Sequence, residues 1–224
     1  MDTDWSRRPP ARFVRWWYVN VVLRIIRAAF APTTIVGEEQ LKELTGPVIV
    51  VANHTSHADT MLLLTALPGR VRRRLVIGAA ADHFYTSRSS SLLTSLFLGG
   101  IPVDRTKASR KTLEECHRLL GSGWSLMLFP EGGRSPDGTM GEFKAGAAWI
   151  ARRAKVPVVP IHIAGAFDIL PKDKRWPRRH RVTLSVGEPL TVSEGEDART
   201  FNSRIEASVV AMAAARAAEE PSGS

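Results

Sequence analysis

Val48-Ile49-Val50-Val51-Ala52 is an unbroken apolar run that leads straight into Asn53-His54-Thr55-Ser56-His57-Ala58-Asp59. Short and rich in β-branched side chains, it reads as a buried strand. Comparable runs recur at Arg73–Gly78, Ile101–Val103, Ser125–Phe129, Val156–Ile163 and Arg181–Val186. Between and around them lie segments that read as helices: Glu38–Leu44, His57–Leu67, Thr106–Leu120, Phe143–Ala154 and Ala198–Ala218. Strands alternating with helices predict an α/β fold, with a largely parallel central sheet flanked by helices. The chain has 224 residues, enough for one substantial core.

The first thirty residues stand apart. Residues 10–30 predict one helix, with Val14, Trp17, Tyr18, Val21, Val22, Ile25, Ala28 and Ala29 on one face. Arg12, Arg15, Asn20, Arg24 and Arg27 share the other half. A basic face opposite an aromatic and aliphatic one is the pattern of a helix lying in a membrane interface, where tryptophan also concentrates. The competing reading is an amphipathic helix packed on the protein's own core. Arg24 and Arg27 break the apolar stretch, which argues against a spanning helix of roughly 20 apolar residues and against a secretory signal. The expected division is an N-terminal membrane-associating helix, residues 1–32, and a second domain, residues 33–220.

The net charge of +9 and pI of about 10.4 favour anionic partners. Basic clusters fall at Arg70–Arg74, Arg152-Arg153-Lys155 and Lys172–Arg181, but none is interleaved with a stacking platform for bases apart from Trp176. A non-catalytic basic module for lipid or nucleic acid therefore remains only an alternative, and no nucleic-acid partner is expected. Cys116 is the single cysteine, so no internal disulfide is possible; in register with Leu113 and Leu120, it reads as a core thiol. Abundant arginine and alanine resemble the usage of a GC-rich bacterial genome.

His54 and Asp59 are a candidate general base and its orienting acid. On one continuous helix, residues five apart point about 140° away from each other. The pair meets only if His54 sits on the loop leaving the strand and Asp59 in the first helical turn. Ser56 as N-cap, with Asp59 three residues later, would make that break. Alone, the two are better read as a hydrogen-bonded strand-end histidine and a helix-start carboxylate. Zinc held by His54, His57 and Asp59 lacks a completing ligand cluster, so no metal site is expected.

Two more segments bear on the reading. Gly99-Gly100-Ile101-Pro102-Val103-Asp104-Arg105 ends a strand on an arginine, and Phe129-Pro130-Glu131-Gly132-Gly133-Arg134-Ser135 leaves another through a glycine turn. Gly132 and Gly133 can take positive φ and bring backbone N–H groups close to a ligand. Arginine forks suit phosphate oxygens.

Together the four blocks Asn53–Asp59, Gly100–Arg105, Phe129–Ser135 and Val156–Ile161, with Phe143-Lys144-Ala145-Gly146-Ala147, resemble the family of 1-acylglycerol-3-phosphate acyltransferases. Gly133 departs from that family's usual threonine. The resemblance implies transfer of a fatty acyl group from acyl-CoA or acyl carrier protein to a lysophospholipid hydroxyl, with 1-acylglycerol-3-phosphate giving phosphatidate. Glycerol-3-phosphate, another lysolipid or a glycolipid is the alternative acceptor. In that reading His54 and Asp59 are catalytic. Arg105 and Arg134 would hold the acceptor phosphate, with Glu131, Gly132 and Gly133 shaping its pocket and Lys144 assisting. The thioester is a cosubstrate and no cofactor is expected. The implied setting is peripheral, on the cytoplasmic face of a membrane. Backbone N–H groups of the histidine turn are the expected oxyanion donors.

Overall fold

A computed structural model describes residues 3–80, 87–103, 110–171, 174 and 176–219. Its centre is a seven-stranded sheet: β1 (Thr33–Val36), β2 (Ile49–Ala52), β3 (Leu75–Ala80), β4 (Gly100–Val103), β5 (Ser125–Leu128), β6 (Val158–Ala164) and β7 (Val182–Val186). The spatial order is β1-β7-β6-β2-β5-β3-β4. Every pairing is parallel except β6 with β7, which is antiparallel. The largely parallel α/β expectation holds.

β2 is the middle strand, and all four of its residues are buried. Its side chains alternate between two cores. Val50 and Ala52 join Leu62, Leu63 and Leu64 of the helix Asp59–Ala66 on one face. Ile49 and Val51 join Cys116, Ile150 and Phe201 on the other, where Arg110–Gly121, Gly146–Ala154 and Ala198–Glu219 pack. Helices on both faces are what a parallel sheet requires, because neither face can be left to water.

Thr33–Val36 had no counterpart among the strands expected from sequence. It is a four-residue edge strand, Thr-Thr-Ile-Val, paired with β7, and only half of it is shielded. Nothing local marks so short a run; the partner 149 residues on (Thr33 against Val182) makes it a strand. Two helices start later than expected, at Asp59 rather than His57 and at Gly146 rather than Phe143. Ala58, not Ser56, is the N-cap of the first.

The N-terminal helical run comprises Pro9–Trp17, a π-helical segment Tyr18–Leu23, and Arg24–Phe30. Its inward stripe is Ala11, Arg15, Val19 and Leu23, at four-residue spacing. Val19 and Leu23 belong to the same core as β2, so this run shares the core of the sheet. Arg15, expected on the basic outer face, is 8% exposed. Its guanidinium donates to the carbonyls of Ser6, Ser95 and Leu96 at 2.7–2.9 Å. Burial first, then the positive charges of Arg7 and Arg12, lower its pKa to about 10. Outward instead stand Phe13, Val14, Trp16, Trp17, Val21, Ile25 and Ile26. Among the described residues no helix is long and apolar enough to cross a membrane.

Candidate active site

The C-terminal ends of adjacent parallel strands form the edge of the sheet where α/β proteins place their ligands. β2 and β5 are such neighbours, and the His54 turn leaves one while the Glu131–Arg134 turn leaves the other. Asn53 fixes the exit from β2. Its side-chain amide donates to the carbonyl of Ile163 at 3.0 Å and its oxygen accepts the N–H of Ile163 at 2.7 Å.

His54 then turns off the strand, and Asp59 comes round in the first helical turn. His54 Nδ1 lies 2.8 Å from Asp59 Oδ2. The same oxygen accepts the N–H groups of Thr55 and Ser56, each at 2.8 Å. Asp59 is 0% exposed. Donors of this kind replace the water that a buried carboxylate has lost. The carboxylate bond to the Ser56 N–H is the backward half of the expected capping box. Ser56 itself behaves differently: its hydroxyl donates to the carbonyl of Leu170 at 2.9 Å and accepts the N–H of Ala58 at 3.1 Å. The imidazole stacks on the ring of Phe129, with centroids 4.0 Å apart and planes at 16°. Nδ1 is thus engaged and the ring plane held, leaving Nε2 as the atom with a proton-transfer role to fill.

Glu131 joins the two turns. Its Oε1 accepts the N–H of His54 at 2.7 Å and its Oε2 accepts that of Gly141 at 3.0 Å. Burial raises the Glu131 pKa above its ordinary value, more than those two backbone donors lower it. Ser135 N–H closes the frame on the carbonyl of His54 at 2.8 Å.

The expected oxyanion donors are spent elsewhere. The N–H of His54 goes to Glu131, those of Thr55 and Ser56 to Asp59, that of His57 to the Leu170 carbonyl, and that of Ala58 to Ser56. Asp59, buried under the turn, takes two of these N–H groups, and Glu131, Leu170 and Ser56 take the other three, so none is left to face a substrate oxygen.

Of the remaining expected residues, Gly132 has φ 76° while Gly133 does not take positive φ. A methyl group on Gly132 would lie 2.8 Å from Lys144 Nζ, so the lysine arches over the glycine turn. Lys144 sits in the loop before Gly146–Ala154, not inside the helix, and its N–H donates to the Pro130 carbonyl at 3.0 Å. That loop is pinned from behind by Asn202, which donates to the Phe143 carbonyl, and by Glu206, which accepts the Phe143 N–H. Arg134 Nη1 hydrogen-bonds His57 Nε2. Arg105 lies outside the described residues. Among the described residues no group of three or more His, Cys, Asp or Glu is placed to hold a metal ion.

Sequence reasoning missed Phe129 as the ring under His54, Leu170 as the acceptor for Ser56, and His57 as the partner of Arg134. The aromatic immediately after β5 was a readable signal. The Leu170 carbonyl, 114 residues from Ser56, had none.

An acyltransferase family model matches residues 32–164, which contain the His54, Asp59 and Glu131–Arg134 turns. A 1-acyl-sn-glycerol-3-phosphate acyltransferase of Chlamydomonas reinhardtii is 33% identical over 179 residues, covering 76% of this chain and 50% of that protein. The human 1-acyl-sn-glycerol-3-phosphate acyltransferase alpha is 33% identical over 136 residues, 58% of this chain and 44% of its own. The chain spans about half the length of the curated relatives it matches. The crystal structure of the 1-acyl-sn-glycerophosphate (LPA) acyltransferase PlsC from Thermotoga maritima superposes with a TM-score of 0.75 at 25% identity, covering 92% of this chain and 82% of that one. With relatives in an alga, chloroplasts, mycoplasmas and mammals, the matches do not single out a bacterial source. By the extent of the family match and the likeness of both sequence and fold, this chain belongs to the acyltransferase family.

Proposed function

We propose that the protein transfers a fatty acyl group from a thioester, acyl-CoA or acyl carrier protein, to the free hydroxyl of 1-acylglycerol-3-phosphate, giving phosphatidate. The observation that carries this reading is the 2.8 Å contact of His54 Nδ1 with the wholly buried Asp59. Asp59 holds the tautomer with the proton on Nδ1, so Nε2 takes the acceptor's hydroxyl proton. The alkoxide attacks the thioester carbonyl, the tetrahedral intermediate expels the thiolate, and the imidazolium returns the proton to that sulfur. A thioester is already activated, so no covalent enzyme intermediate is needed. The base contributes roughly 10²–10⁴-fold, with positioning supplying much of the rest. Arg134, Arg105 and Lys144 hold the acceptor phosphate, and Glu131, Gly132 and Gly133 shape the turn around it.

Lysolipid acceptors reside in bilayers and thioester donors in the cytosol, which favours the cytoplasmic leaflet, and the N-terminal run supports a peripheral setting. Phe13 is 68% exposed, Ile25 65%, Trp16 50% and Trp17 49%. Arg15 is turned inward while Arg24 stays exposed beside these apolar side chains, so the outer side combines apolar and cationic groups, as a monotopic helix does.

The test is a turnover panel read by mass spectrometry. The chain is given palmitoyl-CoA, oleoyl-CoA or acyl carrier protein with 1-acylglycerol-3-phosphate, glycerol-3-phosphate, another lysophospholipid or a lipid-linked sugar. Phosphatidate should dominate. A different acylated product would reassign the acceptor, and no acyl transfer to any of them would overturn the reading.

A further inference from the structure

The loop between β6 and β7 carries Trp176, which at 85% is the most exposed large apolar side chain among the described residues. With Ile169, Lys174 and Arg178 it lines an open cavity of about 340 Å³. Lys174, Arg178, Arg179 and Arg181 are all exposed around it. The carboxylate lining that cavity, Asp168, faces His180 at 3.7 Å.

Two sets of hydrogen bonds fix where this loop sits. The Leu170 carbonyl accepts the Ser56 hydroxyl at 2.9 Å and the His57 N–H at 3.3 Å, tying one limb to the turn that carries His54. The His180 N–H donates to the Phe30 carbonyl at 3.0 Å, tying the other limb to the end of the N-terminal run. Exposed Ile25 and Ile26 lie five and four residues before Phe30, about 6–8 Å along a helix. The loop therefore bridges the C-terminal end of that run and the turn that carries His54.

An indole left in water keeps its hydration cost unless something covers it. A ring with an apolar body and one N–H, ringed by cations, fits the boundary between lipid and water. We propose that the β6–β7 loop is a second lipid-contact element, in which Trp176 enters the interface of an anionic leaflet and Lys174, Arg178 and Arg179 engage lipid phosphates. Bonded to the His54 turn, it would set the site's height and tilt over the leaflet. This inference rests on the membrane reading given above.

The test is cosedimentation of the full chain with vesicles of phosphatidylcholine, with and without phosphatidylglycerol. Trp176→Ala should weaken partitioning several-fold on both. Lys174→Gln with Arg178→Gln should weaken it by about fivefold per cation on the phosphatidylglycerol vesicles and little on phosphatidylcholine alone. Trp16→Ser with Trp17→Ser, on the helical run, is the comparison. If that pair abolishes binding while the loop variants bind like wild type, the loop inference falls and the membrane reading stands. If wild type binds neither vesicle, both fall. Loop variants that keep full vesicle binding but show a raised KM for acyl carrier protein would assign the surface to an acidic protein and overturn the proposal.

Discussion

Glu131 Oε1 accepts the backbone N–H of His54 at 2.7 Å, so the carboxylate of one turn holds the main chain that carries the imidazole of the other. Its second oxygen is taken by Gly141. Glu131 is thereby a positioning residue, acting through His54. Glu131→Gln keeps one acceptor and sets an amide N–H against the other backbone donor. We expect a stability loss of about 1–2 kcal/mol, read by thermal unfolding. Turnover should fall with little change in the acceptor KM, because the imidazole shifts while the phosphate ligands remain.

The same residue gives a pH signature. Burial raises its folded pKa above that of the unfolded chain. The unfolded carboxyl therefore loses its proton first. The associated stability is fully present below the unfolded pKa and is lost as pH rises through the folded one. Raising pH from about 4 to about 7 should shift the melting-temperature difference in favour of Glu131→Gln. A constant difference across that range would contradict the raised pKa.

His54→Ala should lower turnover by about 10²–10⁴-fold with the fold retained, since the ring is only partly buried. Asp59→Asn should be comparably inactive and also less stable by about 1–3 kcal/mol. All three donors converge on Asp59 Oδ2, so an amide can meet them only with a neutral oxygen, and its NH2 group would occupy the buried position of Oδ1, which has no hydrogen-bond partner among the described residues. Single-turnover assays on folded variants decide this; near wild-type rates in either would remove the acid–base mechanism.

Arg134→Ala and His57→Ala separate binding from chemistry. Loss of the guanidinium should raise the acceptor KM by about 10- to 100-fold with a smaller change in kcat. His57→Ala should produce a weaker form of the same effect, because His57 Nε2 hydrogen-bonds the guanidinium of Arg134, which is proposed to hold the phosphate. Steady-state kinetics with varied acceptor measure both.

Arg15→Met tests the inward turn of the N-terminal run. Three carbonyls, of Ser6, Ser95 and Leu96, each lose the guanidinium as a donor. Chemical denaturation should report a loss of about 2–4 kcal/mol. A solvated arginine on an outer basic face would give almost no change. Because Val19 and Leu23 share the sheet's core, deleting residues 1–30 would damage the fold as well as any membrane contact. Surface substitutions such as Trp16→Ser with Trp17→Ser are the cleaner probe.

Sequence by itself determined the strand-and-helix alternation and the break between His54 and Asp59, because these follow from periodicity and short-range geometry. A run of four or five apolar residues fixes a strand, and a five-residue spacing fixes where the helix must begin. Tertiary structure alone decided what those elements face. The Arg15 side chain turns inward because Ser95 and Leu96, 80 and 81 residues away, offer it carbonyls. The short β1 exists because β7 is beside it, and the His54 and His57 N–H groups are engaged because Glu131 and Leu170 lie against the turn. Such outcomes depend on partners distant in the chain, and local spacing carries no record of them.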